Sequence, residues 1–513
     1  MKKYYDSQQL DIFSASLPPF KFTKPIRTIE LFAGYGSQLL AFKYLGANAK
    51  HFKICEWAVP SIEAYNDIHV RDFTDYSANK DVDWLVGWLV ERGISIDYNK
   101  PATLEQIRRK PEAWIRRVYN NIIATNDMVD ISKTKGSDFY MSDREDFNVF
   151  MSYSFPCTDL SLAGKCLGMD EDSGTRSSMI WQVGRILNEM KEINQLPDVL
   201  MMENVPQVIS GKNKDNFNKW LDILESLGYH SFYKILEATD FGIPQTRKRC
   251  FVISIPKGYS YEFPTGWPLN KKLKDLLEDN VGEKYYLSKG MLGYFLNEDT
   301  KGFNRCEAFV SNFRQANNGI SPTITTREGQ RPLDTYVVPS AIKFPTDLKE
   351  IKEGFFKGDE AYGCAMRERE DGKQHIECNG EEVSNTITTV QKDSLVAVSK
   401  NGLEFELKNA NKHLSETIEQ NNFPIGETKN IDMYNRSLTN NSSTLVLPNH
   451  AQQALWNGHR IRKLTPRECF RLMGVKDEDF DKIKDELSQT WLYHLAGDSI
   501  VTNVMMEMFK KML

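Results

Sequence analysis

No apolar run approaches the roughly 18 residues that a bilayer-spanning helix needs. The first residues, Lys2 and Lys3 followed by Tyr4, Asp6, Gln8 and Gln9, also lack the apolar stretch of a secretory signal. A cytoplasmic protein without a membrane partner is expected. Cysteine is sparse: eight residues (55, 157, 166, 250, 306, 364, 378 and 469) are scattered through 513, with none of the density of a disulfide scaffold. Reduced thiols are therefore expected. The nearest approach to a metal cluster, Cys364, His375 and Cys378, lacks a fourth ligand and any paired CxxC, so no metal is expected. A dominant charge is missing too, since 65 basic and 70 acidic residues give a net charge of -5, which excludes a uniformly basic polyanion binder. The balance is nevertheless uneven: residues 301–345 carry six basic and three acidic side chains, and residues 346–385 six and eleven. Any contact with a polyanion should be local.

A chain of 513 residues exceeds one compact core and calls for two or three domains, or one large domain with an insertion. Thr28 to Phe32, then Ala33-Gly34-Tyr35-Gly36, then Leu39 to Leu45 read as strand, glycine turn and helix. Strand-like runs recur at Phe147 to Tyr153, Asp198 to Met202 and Cys250 to Ile255, separated by helical stretches at Met179 to Met190 and Phe217 to Leu227. That alternation predicts an α/β sheet with helices on both faces. Residues 72–130 read as a helical insertion, in which Trp84 and Trp88 share a face and Arg108, Arg109, Lys110, Arg116 and Arg117 supply positive charge; core packing and a DNA-facing stripe both fit. After Pro256 helical periodicity fades into short β-rich pieces, so a domain boundary is expected there. Ser321-Pro-Thr-Ile-Thr-Thr326 returns as Ser384-Asn-Thr-Ile-Thr-Thr389, with five of six positions identical at an offset of 63. Helical character resumes at Thr465, and Ile500, Val501, Val504, Met505, Met508 and Met512 predict a packed terminal helix.

Several positions offer chemistry. A strand, Phe32-Ala-Gly34-Tyr-Gly36 and a helix suit a nucleotide-like cofactor or a plain turn, and the dinucleotide pattern GxGxxG is not met because position 39 is Leu. Glu56 and Trp57 end the next strand, where a carboxylate can bind ribose hydroxyls and a tryptophan can stack on a base. Ser154-Phe-Pro-Cys157 places a thiol after a strand, exposed enough for nucleophilic attack. Glu203 ends another buried strand and could pair with that thiol as an acid. Gln245, Arg247 and Arg249 enter a further strand on one side, where buried guanidinium groups demand anionic or carbonyl partners.

Taken in order, Phe32-Ala-Gly-Tyr-Gly36, Phe155-Pro-Cys157, Glu203-Asn-Val205, Gln245-Thr-Arg-Lys-Arg249, Arg462-Lys-Leu-Thr-Pro-Arg-Glu468 and Gly497-Asp-Ser-Ile500 resemble the motifs of DNA (cytosine-5)-methyltransferases. The resemblance covers residues 28–256 and 460–513. It implies a Rossmann-like methyltransferase sheet, with 1–256 as catalytic and cofactor-binding domain, 257–460 as a smaller β-rich target-recognition domain and 461–513 as a return segment. It further implies S-adenosyl-L-methionine held by Phe32, Gly34, Gly36, Glu56, Trp57 and Ser499, with Asp138 as the aspartate on the adenine edge and Asp72 and Asp75 as alternatives. Cys157 would be the nucleophile, Glu203 the acid on cytosine N3, and Arg247 and Arg249 supports of the active site. Thr158 and Asp498 depart from the residues common in the family, Gln and Asn respectively.

The implied partner is double-stranded DNA, acted on by a monomer, with a cognate restriction endonuclease acting separately. The implied chemistry is coherent. Cytosine C5 is a poor nucleophile until a thiolate adds at C6, and proton donation to N3 stabilises the charge that addition creates. Because C6 is inaccessible inside a duplex, the base must be flipped out. An RNA cytosine-5 methyltransferase and a catalytically silent DNA-binding relative are the competing readings, the first not needing some 200 residues between Pro256 and Arg460 and the second not needing an intact Cys157 and Glu203.

Overall fold

The computed structural model describes residues 5–6, 17–156, 176–287, 312, 319–326, 328, 334–337, 361–368, 374–378, 394–398, 430–432, 437–439, 445–446 and 462–513. They divide into two compact units: Met1–Leu276, Thr323–Arg327 and Pro466–Leu513 form the first, Leu277–Pro322 and Glu328–Thr465 the second.

The first unit is built on a seven-stranded sheet. Its strands are β1 (Tyr5–Asp6), β2 (Ile26–Leu31), β3 (Ala49–Cys55), β4 (Asn148–Tyr153), β5 (Val199–Asn204), β6 (Tyr229–Glu237) and β7 (Lys248–Pro256), in the order β1-β6-β7-β5-β4-β2-β3. β2 to β5 run parallel, and β7 is antiparallel to both β5 and β6. Every residue of β4 and β5 is buried, as expected of strands covered on both faces. Strand alternation divides β4 between two helical layers. Val149, Met151 and Tyr153 pack with α6 (Ile180–Glu192) and α7 (Lys214–Ser226) through Ile186, Leu187, Trp220 and Leu224. Phe150 faces the other layer, where Phe42 of α1 (Ser37–Tyr44) stacks on Phe509 of the terminal helix (Thr502–Lys510) at 4.2 Å. Truncating Phe42 to Ala would cost about 3–5 kcal/mol, the usual range for a buried phenylalanine.

The insertion folds into α3 (Val82–Arg92), α4 (Leu104–Arg108) and α5 (Glu112–Ala124). Asp81 caps α3 by accepting from Trp84 N, and Thr103 with Gln106 forms a capping box on α4. Leu85, Leu89, Ile107, Ile115, Val118 and Ile122 build its core against Val59 and Ile62 of α2 (Val59–Tyr65). Trp84 and Trp88 do share a face, both meeting the ring of Tyr119 edge-on, but Trp84 remains half exposed under Lys80. The basic residues pair locally, Arg108 with Asp83, Arg109 with Glu105, Arg116 with Glu112 and Arg117 with Glu63. Such pairing favours a solvated face over a DNA-facing stripe.

The second unit is β-rich. Its described strands form a four-stranded sheet (Gln374–Cys378, Ala361–Glu368, Ser394–Val398, Leu445–Val446, in that spatial order) and two ribbons (Asn430–Asp432 with Ser437–Thr439, and Arg462–Lys463 with Tyr336–Val337). The division between units differs from the compositional boundary at Pro256. Residues 257–276 stay with the first unit because Ser260 bonds Phe20 and Pro18 through its backbone, Tyr261 bonds Met508 O and Trp267 bonds Asp240 O. The first Thr-Ile-Thr-Thr copy also belongs there, held through Ile324. The second copy, at 384–389, lies outside the described residues.

Candidate active site

In an open parallel sheet, ligands bind beyond the carboxyl ends of the strands where the strand order reverses. Here the chain leaves β2 for β3 on one side and returns to β4 on the other, so the crevice is flanked by two loops: Phe32–Gly36 after β2 and Ser154–Pro156 after β4. β7 enters the same edge from the opposite direction, with Asn204 in register with Cys250 and Glu203 with Phe251. That polarity is what brings Arg249 beside the end of β5.

The loop after β2 turns through three left-handed residues, Phe32 (φ 57), Gly34 (φ 56) and Gly36 (φ 79). Its two glycines do different jobs. A Cβ on Gly36 would lie 2.5 Å from His69 Nε2 and 2.6 Å from Tyr65, so that face is packed, whereas a Cβ on Gly34 would meet nothing within 4 Å. Gly34 therefore leaves an open surface where a ligand can approach the backbone at the start of a helix. Beside it, both oxygens of the Glu56 carboxylate accept main-chain N–H groups, from Gly34 at 2.9 Å and from Ala58 at 2.8 Å. Burial raises the pKa of Glu56, and these donors oppose the shift. Behind Glu56, Asp127 Oδ1 accepts from Glu56 N and Val129 N, both at 2.9 Å. Burial pushes Asp127 well above the usual carboxylate range.

The insertion reaches this edge as well. Ser95 N donates to Trp57 O, the Tyr98 hydroxyl pairs with Ser61 Oγ at 2.8 Å, and the Tyr98 ring stacks on His494 at 3.8 Å. His494 in turn lies 3.1 Å from Asp498.

Glu203, at the end of β5, is almost fully buried. Arg249 Nε lies 3.1 Å from its Oε1, and Ser154 Oγ donates to its Oε2. The loop carrying Ser154 is fastened on both sides: Asn204 Nδ2 donates to Phe155 O at 3.0 Å, and Ser177 Oγ to Pro156 O at 2.8 Å. Cys157 follows directly and lies outside the described residues. Arg247 takes main-chain partners. Its guanidinium donates to Gly497 O (2.9 Å), Ser499 O (2.7 Å) and Ile324 O (3.1 Å), while Gln245 bonds Leu472 O and receives Ile324 N. These carbonyls are the partners that buried guanidinium and amide groups demand, and they tie the return segment to the sheet.

The profile of C-5 cytosine-specific DNA methylases matches residues 107–513. The chain belongs to this family. It is 37% identical to the type II methyltransferase M2.ScrFI of Lactococcus lactis subsp. cremoris over 276 residues, 52% of this chain and 71% of that protein. It is 34% identical to the orphan methyltransferase M.SssI of Spiroplasma monobiae over 282 residues, 54% of this chain and 71% of that protein. In fold it is similar to the Entamoeba histolytica methyltransferase EhMeth, with a TM-score of 0.50 at 12% identity, covering 95% of this chain and 98% of that one.

In this DNA cytosine-5 methylase the residues singled out from sequence fall into three groups. Gly34 and Glu56 meet directly, with Phe32, Gly36 and Trp57 in the adjoining backbone. Glu203 and Arg249 meet at the end of β5. Arg247 and Ser499 meet in the clamp on the return segment. Asp138 joins none of them: it lies on a short 3-10 turn, and its carboxylate accepts Lys135 N at 2.7 Å. Asp72 and Asp75 are also turned onto neighbours in their own loop, Tyr76 and Ser77. The aspartate that the fold does set behind Glu56 is Asp127. Sequence reasoning passed over it, although the parallel bridge of Ile54 with Asp127 marks where the chain rejoins the sheet after the insertion. Ser154 and Tyr98 were likewise given no role.

Proposed function

We propose that the chain transfers a methyl group from S-adenosyl-L-methionine to C5 of a cytosine flipped out of double-stranded DNA, through a covalent Cys157 adduct at C6. The observation that carries this is Glu203, held by Arg249 at the sheet edge beside the fastened loop that leads into Cys157. Phe32, Gly34, Gly36, Glu56, Trp57 and Ser499 fit the cofactor: Gly34 has room above its backbone, and Glu56 is a fixed carboxylate of the kind that receives ribose hydroxyls. When bound, S-adenosyl-L-methionine supplies an electrophilic sulfonium methyl. The residues do the rest. The Cys157 thiolate adds to C6 while Glu203 gives its proton to N3, leaving an enamine whose C5 is nucleophilic. After C5 is methylated, loss of its proton to a base lets the C6–sulfur bond break and frees Cys157. Arg249 holds the Glu203 carboxyl, and Arg247 holds Gly497–Ser499 in place.

Within the expected 257–460, sequence choice is assigned to what lies beyond residues 257–276, which stay with the first unit, with Arg327 and Arg331, both outside the described residues, as contacts to bases or phosphates. The expected role is protection of DNA in a restriction-modification setting, with the endonuclease a separate protein. Bisulfite sequencing of DNA treated with the purified protein and cofactor tests the reading: methylated cytosines in one recurring sequence are expected, and unmodified DNA would refute it.

A further inference from the structure

Ser154 touches the carboxyl group read above as the acid on N3, and nothing in that chemistry yet uses it. A serine hydroxyl has one proton to donate and lone pairs to accept, whereas a guanidinium only donates. Within reach of Ser154 Oγ are two acceptors of the same residue, Glu203 Oε2 and, at 3.3 Å, the Glu203 main-chain oxygen. Arg249 occupies the other carboxylate oxygen. The serine cannot drift, because Tyr153 before it is the last residue of buried β4 and the carbonyls of Phe155 and Pro156 after it are bonded by Asn204 and Ser177.

We propose that Ser154 is a positioning residue for Glu203, its hydroxyl turning with the protonation state of the carboxyl group. The inference rests on the reading of Glu203 as the acid. With Glu203 ionised, the Ser154 proton points to Oε2. With Glu203 protonated, the same hydroxyl donates to the main-chain oxygen and leaves Oε2 free to carry the proton. As that proton passes from Oε2 to cytosine N3, the hydroxyl swings back and donates to the carboxylate left behind. Ser154 itself gains and loses no proton. Arg249 keeps the carboxyl plane fixed throughout.

The test is single-turnover tritium transfer from saturating cofactor to plasmid DNA by the full-length protein. Ser154→Ala should slow transfer about tenfold, while KM for DNA and cofactor, read from separate steady-state assays, stays within about twofold, the pattern of an interaction felt in the transition state. Ser154→Thr, which keeps the hydroxyl, should recover to within about threefold of the parent, while Ser154→Val, of the same size without it, should not. In a Glu203→Gln background Ser154→Ala should add no further loss, because the serine acts through the acid. Parental rates in both the Ala and Val variants, or an undiminished loss in the Glu203→Gln background, would overturn this inference alone. A parental rate for Glu203→Gln itself would remove the reading of Glu203, and this inference with it.

Discussion

Glu56, just after β3, and Glu203, among the last residues of β5, are both buried carboxylates at one end of one sheet, yet their surroundings differ in kind. Glu56 takes main-chain N–H groups from Gly34 and Ala58, whereas Glu203 takes side-chain donors from Ser154 and Arg249. Main-chain donors are as rigid as the loop and helix that carry them, so Glu56 is suited to hold a ligand in one place. Side-chain donors, a hydroxyl above all, can rearrange as a proton comes and goes. In the proposed reaction one carboxylate serves binding and the other turnover.

Removing the reaction altogether should have the largest effect. Cys157→Ala is expected to abolish tritium transfer while a gel shift still detects DNA binding, because phosphate contacts come from elsewhere. Near-normal turnover would end the nucleophile assignment. On the turnover side of the comparison, Glu203→Gln should slow the single-turnover step by roughly 10²-fold or more at unchanged cofactor affinity, since an amide cannot deliver a proton. On the binding side, Glu56→Ala should weaken cofactor affinity by about tenfold or more in calorimetry, with Gly34 and Ala58 N–H groups left without their acceptor. A loss in the saturated rate without a loss in affinity would invert the contrast between the two acids. Smallest should be Asp138→Asn, which keeps cofactor affinity within about twofold, because this half-buried side chain caps its own turn and an amide oxygen can serve there too. A tenfold weakening would restore Asp138 to the cofactor site.

Much of the placement was legible in the sequence wherever a site lies in a contiguous motif. The strand and glycine turn at Thr28–Gly36, the carboxylate of Glu203 at a strand end and the basic run at 245–249 could be read because a strand end and the loop after it are neighbours in the chain. The terminal helix was equally readable, and Val504, Met505, Met508 and Met512 are all buried. What escaped depended on distant pairing. Asp127 reaches Glu56 only because the chain after the insertion bridges back to Ile54, a pairing that spacing across 72–130 does not reveal. Arg247 and Arg249 looked equivalent by alternation, but β7 begins at Lys248, so Arg247 precedes the strand and turns to the carbonyls of Gly497 and Ser499. Ser321–Thr326 looked like one of two scaffold repeats in the recognition region. The structure instead ties Ile324 to Gln245 and Arg247, a partnership that repetition alone does not reveal.

In the proposed reaction a Cys157–C6 bond forms, and breaking it requires removal of the C5 proton. Duplex DNA with 5-fluorocytosine at the methylated position offers no such proton, so the adduct should persist. After incubation with cofactor and digestion, mass spectrometry should find the peptide containing Cys157 joined to a methylated fluorocytosine nucleotide, in denaturant-resistant yield that vanishes in Cys157→Ala. An unmodified Cys157 peptide, with the methyl group nevertheless transferred to ordinary DNA under the same conditions, would contradict it.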